Sequence, residues 1–143
     1  MRDIVSNVAV VNVIDPAVYS ADNTPAAIDL LGFGSAMLAI HVGAGGITFT
    51  GTNKVEFKLT HSSDDVTYDA VTIDDVQGVA SVAAGGIVKA LTAAHAAADV
   101  TKVGYVGHRR YLKLLADFSG THGTGTPIAV TAIKANAASR PIT

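Results

Sequence analysis

The chain has no cysteine and no tryptophan, and only 6% of its 143 residues are aromatic and 15% charged. Without cysteine there is no disulfide staple, no thiolate nucleophile and no Cys-ligated zinc, as suits a protein made in a reducing cytoplasm. Without tryptophan, and with few other aromatics, a platform for stacking a sugar face is poorly supplied. Ten basic residues are scattered against twelve acidic ones, for a net charge of −2. No basic stripe exists to neutralise a run of phosphates, so nucleic acid is not an expected partner. Sparse charge has a second meaning. With 49% apolar residues, part of the surface is expected to be covered by other copies or by a partner, because a lone charge-poor copy keeps itself soluble with difficulty.

The opening Met1-Arg2-Asp3-Ile4-Val5-Ser6 has one basic residue, an acidic one close behind and no sustained apolar core, so it does not read as a secretory leader. Leu30 to Asn53 carries no Asp, Glu, Lys or Arg and is long enough to span a bilayer. Its content argues otherwise. Six glycines, four hydroxyl residues and His41 break it into two apolar runs around Gly43-Ala44-Gly45-Gly46, which predicts a buried hairpin, with no membrane partner. The length supports one domain over 1–143 with a real core, flanked by an N-terminal arm (1–7) and a C-terminal tail (136–143).

Period-two alternation dominates what is present. Val8 to Ile14 reads as a first strand ending at the Asp15-Pro16 turn signal, with a loop to Ala27. Ala36, Leu38, Ile40 and Val42 alternate with Met37, Ala39 and His41, and both sets are largely apolar, as in a strand covered on both faces or lying in an interface. Ile47 to Thr50 alternates too. From Lys54 to Thr60, Val55, Phe57 and Leu59 face one way while Lys54, Glu56, Lys58 and Thr60 face the other. Further strands are expected over Val66–Ile73, Ile87–Leu91, Val100–Val106, Tyr111–Phe118 and Ile128–Ala135, with an Ala-rich loop or at most one short helix after Leu91. Seven to nine short strands without alternating helices predict an all-β antiparallel sandwich, jelly-roll-like, with short loops.

Two segments carry most of the polar character: 58–71, with Asp64 and Asp65 at its bend, and 103–114, with Tyr105, Arg109, Arg110 and Tyr111 around its bend. Each reads as strand, tight turn, strand. Asp64, Asp65, Asp69, Asp74 and Asp75 form an acidic cluster, but its spacing is not that of an EF-hand, and Asp and Ser are good turn formers in their own right. Of five histidines, His41 reads as a strand residue and 61, 95, 108 and 122 as turn or loop residues; no pair has the spacing of a one-element metal site. No Gly-x-Ser-x-Gly elbow is present, and Gly120-x-x-Gly123-x-Gly125 leads into another strand rather than a helix, so neither a hydrolase nor a dinucleotide loop is indicated. Arg109 and Arg110 between two tyrosines suit either a ligand platform or ion pairs to neighbouring strands at a structural or subunit interface. The expectation is no enzyme, no cofactor and no metal.

At these segments the sequence resembles small auxiliary virion proteins of tailed bacteriophages and prophages, the capsid decoration or cement proteins. The shared pattern is Phe57, Leu59, Ser62 and Asp64, running on to Ala70-Val71, and later Gly104-Tyr105-Val106-Gly107-His108-Arg109-Arg110-Tyr111. It spans roughly Val55 to Pro141, including the Gly120–Pro127 loop and the closing Arg140-Pro141. The resemblance implies a structural protein on the capsid surface, made in the host cytoplasm. Its implied partners are the major capsid protein or other virion proteins and further copies of itself, with no catalytic residues to carry over. Tyr105, Arg109, Arg110, Tyr111, Asp64 and Asp65 are the interface or structural candidates. A tail or head-tail component remains open, as does a carbohydrate-binding jelly roll, whose loops a Ser-x-Asp-Asp turn followed by Thr-Tyr also resembles.

Overall fold

A computed structural model describes residues 3–139 and Ile142. Its ten strands are β1 (Val8–Tyr19), β2 (Ile28–Asp29), β3 (Phe33–Val42), β4 (Lys54–Ser62), β5 (Asp69–Ala70), β6 (Val76–Gln77), β7 (Ile87–Leu91), β8 (Asp99–Tyr105), β9 (Tyr111–Ser119) and β10 (Thr126–Ala137). The helical elements among the described residues are two 3-10 turns, Val5–Asn7 and Ile73–Asp75. One sheet runs β1-β10-β3-β8-β6, and the other runs β2-β9-β4, with β5 and β7 sharing the far edge of β4. Every pairing is antiparallel. With β5 and β6 set aside as an insertion, the other strands follow the order first, eighth, third, sixth in one sheet and second, seventh, fourth, fifth in the other. That is the strand order of an eight-stranded jelly roll, the antiparallel sandwich expected from the sequence.

The core follows from the alternation. Val55, Phe57 and Leu59 of β4 and Leu112, Leu114 and Ala116 of β9 meet Leu38, Ile40 and Val42 of β3 and Val130 and Ala132 of β10 in one buried cluster. Phe57 is 0% exposed. Lys134 and Lys89 tie the sheets at their rims: Lys134 Nζ donates to the Asp29 carbonyl at 3.1 Å, and Lys89 Nζ reaches Asp99 and Thr101 at 2.6 Å.

Several expectations are corrected. β1 does not end at Asp15-Pro16 but continues to Tyr19, with register shifts between Asn12 and Ala17; β1 is an edge strand, where a bulge accommodates a proline that has no N–H to give the ladder. The 30–53 hairpin does not form. β3 pairs with β10 and β8, whereas β4 pairs with β9, so the chain between them crosses from one sheet to the other. Ile47–Thr50 is not a strand, because its alternation is spent on sinking Phe49 into the core from a loop. The 103–114 hairpin is likewise a crossing: β8 and β9 lie in different sheets, and residues 106–110 span a gap of roughly 10 Å between sheets. The 58–71 hairpin is real, but its second strand is only Asp69–Ala70 rather than Val66–Ile73. Val66 is 82% exposed, and the Asp64 carboxylate takes the Val66 and Thr67 N–H groups that a ladder would have used. His61 lies in β4 and not in a turn.

Between β5 and β7 the edge of β4 is closed by Gly86, whose carbonyl accepts the Leu59 N–H at 2.8 Å. A Cβ there would stand 2.3 Å from the Leu59 oxygen, and φ is +77°, so only glycine fits. At the termini, Ser6 accepts a hydrogen bond from the Ile142 N–H, and the expected tail begins as strand, since Ala137 still pairs with Phe33. Arg140-Pro141 and the first two residues of the arm lie outside the described residues.

Candidate functional site

The two polar segments meet at one end of the sandwich, because β4 and β9 are neighbours in register with Ser62 opposite Tyr111. In the 62–68 bend, Ser62 Oγ donates to Asp64 Oδ1 at 2.8 Å and accepts the Asp64 and Asp65 N–H groups, while Asp64 Oδ1 takes those of Val66 and Thr67, each at 2.9 Å. Those backbone donors, Val66 foremost, hold the Asp64 carboxyl down at about 2. Asp65 adopts φ 59°, the left-handed conformation that Asp tolerates at a turn. It accepts the Tyr68 hydroxyl, and Lys113 lies 4.1 Å over the Tyr68 ring. Burial first and Asp65 second push the Tyr68 hydroxyl well above its usual range.

Across the end, Tyr105 is 6% exposed. Its hydroxyl accepts the Arg109 N–H at 3.1 Å and shares a 2.9 Å hydrogen bond with His61 Nδ1, whose ring meets it edge-on. Gly107 arches over that hydroxyl so closely that a Cβ would sit 2.5 Å away, and the Val106 and Gly107 N–H groups are received by the Asp75 carbonyl at 2.8 and 3.1 Å. Burial, and then the Arg109 charge, press the His61 pKa below its usual value. Arg109 is paired with Asp69 of β5. Arg110 holds Asp29 of β2 in a two-pronged contact at 2.8 and 2.7 Å, stacked 4.7 Å over Tyr111. That contact lowers the Asp29 carboxyl to about 2.

Tyr105, Arg109 and Arg110 therefore line one depression of about 320 Å³, together with His108 and the Leu30–Ala36 segment. Tyr111, Asp64 and Asp65 do not line it. Its two guanidinium groups already face carboxylates, so the arrangement chiefly fastens the 106–110 crossing to β2 and β5. Among the described residues no three His, Asp or Glu side chains converge as metal ligands, and no helix is long and apolar enough to cross a membrane.

A second region is marked by no sequence motif. Cα partners share a face, so Val10 of β1, Ile133 of β10 and Met37 of β3 project together from the outside of the first sheet, beside Asn12, Thr131 and Ala39. The outward positions of β10, of β3 and of the regular Val8–Asn12 half of β1 carry no Lys, Arg, Asp or Glu. Lys102 of β8 and Asp15 at the β1 bulge stand at the borders. Val10 and Val18 are 66% and 63% exposed. The two-sided apolar pattern of 36–42 was the sequence signal for this face, and Pro127, Ala129, Thr131, Ile133 and Ala135 of β10 repeat it.

Comparison with protein-family models, with curated proteins and with solved structures finds no match to this chain.

Proposed function

We propose that the chain is a structural, non-enzymatic virion protein of a tailed phage, which decorates or cements the capsid by binding the major capsid protein. The observation that carries this reading is how the polar residues of the resembling segments are used. Asp64, Asp65, Tyr105, Arg109 and Arg110 are all bonded within the chain, so they serve a rigid framework and leave the charge-poor sheet as the surface to be covered. Jelly rolls recur in viral capsid and lectin domains, which raises the prior without deciding function. A cement protein works by burying area at junctions between capsomers, and many copies on a lattice gain avidity that a single contact lacks. The open edge of β1 offers an additional strand-addition site for a neighbouring chain.

Electron microscopy of the protein mixed with shells of the major capsid protein encoded nearest to it tests the proposal. Ordered density at capsomer junctions is the expected result. Bare shells, or saturable glycan binding in their place, would overturn it. Removing residues 1–7 should weaken shell binding, and unchanged binding would exclude the arm from the contact.

A further inference from the structure

We infer that the outer face of the β1-β10-β3-β8 sheet is a homotypic interface, on which a second copy of this chain packs sheet to sheet about a twofold axis. The inference does not rest on the virion role, because it uses only the geometry and charge of this face.

Area comes first. Four strands about 4.8 Å apart and some nine residues long at about 3.3 Å each make a face of roughly 600 Å² in plan. That plan area, which includes the polar Asn12, Thr131, His41 and Lys102, is at the upper end of the largest patch on an ordinary monomer and of the order of the roughly 800 Å² that each partner buries in a standard interface. Relief comes second. Val10, Val18 and Val100, the last 56% exposed, stand out from the same face that holds two hollows. One, of about 350 Å³, lies among Pro16, Val18, His41 and Pro127, and the other, of about 470 Å³, among Met37, Lys102, Gly104 and Ile133. Projections and hollows on one patch are what a twofold contact requires, since each copy supplies both.

Shape and charge then select the occupant. Two copies of one sheet have the same twist, so they stack aligned as the two layers of a sandwich do. A foreign chain has no such guarantee. The outward positions of β10, β3 and Val8–Asn12 carry no fixed charge and meet their own image without like-charge repulsion, while Lys102 on β8 stands at the border, away from the same residue of a copy turned about an axis along the strands. The borders agree. An axis running along the strands lays the β1 border of one copy over the β8 border of the other. Lys102 is level with Thr131 through Ala39, and Asp15 lies in the bulge between the residues paired with Val130 and Ile128. Residues of opposite sign thus stand about two ladder positions apart along the strands, within reach of a lysine side chain.

The test uses the full chain at micromolar to ~100 µM concentration, with mass in solution measured by light scattering and native mass spectrometry. Wild-type protein should run as a pair. Ile133→Glu and the gentler Thr131→Glu should each weaken pairing by at least about tenfold while the circular dichroism spectrum stays the same. Leu115→Glu, placed opposite Lys58 on the outer face of the other sheet, should leave pairing intact. Since the chain has no cysteine, Thr131→Cys gives a single thiol that a short bis-maleimide should join into a covalent dimer. A monomer at ~100 µM, or pairing unaffected by both glutamates, would overturn the inference. A monomer that still decorates shells would do so while sparing the virion role; a stable pair that leaves shells bare would do the reverse.

Discussion

The two outward faces of the sandwich are built from the same strand geometry and opposite chemistry. On β4 and β9 the outward residues form a charge ladder: Lys54 pairs with Glu56 at 2.6 Å, and Lys58 bridges Glu56 and Asp117. On β10 and β3 the corresponding positions hold Thr131, Ile133, Met37 and Ala39. The edges differ in the same sense. Beyond β2, the free edge of β9 is sealed by side chains of the preceding loop, with Asn23 bonding both Leu114 and Ala116 and Asp22 accepting the Phe118 N–H. β1 has no such cover among the described residues. A sheet that is to remain in water invests in charges and guarded edges, and only one sheet here does so. The difference teaches that the low charge content is not spread evenly; it is concentrated on one face.

The largest expected effect lies beneath both faces. Phe57→Ala empties the centre of the shared core and should lower unfolding stability by about 3–5 kcal/mol in urea titration; a loss under about 1 kcal/mol would mean the two sheets do not depend on a common core. Tyr105→Phe removes the hydroxyl that serves both Arg109 and His61 and should cost about 1–3 kcal/mol, read from the same titration. On the charged face, Lys58→Ala should cost no more than about 1 kcal/mol, and the difference should shrink in high salt because the pairs are partly exposed. A salt-independent loss would make that ladder a packing feature instead. On the apolar face, Thr131→Glu should change the unfolding of the isolated chain by no more than about 0.5 kcal/mol, while weakening association by at least about tenfold.

Acid sharpens the comparison further, since Asp29, His61, Asp64 and Asp75, all with displaced pKa values, lie at the polar end of the sandwich. His61 has a folded pKa below its ordinary 6.5. The unfolded chain therefore takes up that proton more readily, and the His61 contribution is complete above about pH 6.5 and falls away as pH drops below it. Asp29 and Asp64, held at about 2 against an ordinary 3.8, add stability that is complete above that ordinary value and disappears as pH falls through about 2. Thermal midpoints from pH 8 to 2 should fall in two stages, and His61→Gln should flatten the first. A flat profile between pH 8 and 5 in the wild type would exclude His61 as the source.

Much of the secondary structure was legible because inward and outward residues alternate: Lys54–Thr60 and Tyr111–Phe118 became strands facing the way their side chains suggested, whereas Ile87–Leu91 became a strand whose register shift buries both Val88 and Leu91. What local pattern could not reveal was which strand each would meet. Ile47–Thr50 and Phe49 alternate as a strand does, yet alternation records burial and not pairing, and Phe49 reaches the core from a loop. Val66–Ile73 has strong β-formers, but a carboxylate two residues earlier captures their N–H groups. The Arg109 and Arg110 partners, Asp69 and Asp29, lie 40 and 81 residues away along the chain, a distance no motif spans.

Composition and period two determined, by themselves, an all-β sandwich with a charge-poor exterior, because burial period is a local property of the backbone. Tertiary structure decided that 43–53 and 106–110 cross between sheets instead of turning within one. It also decided that the second apolar phase of β3 joins that of β10 and β1 on a single uncovered face. Those outcomes depend on which strands lie side by side, and strand neighbours are chosen by the packing of the whole core.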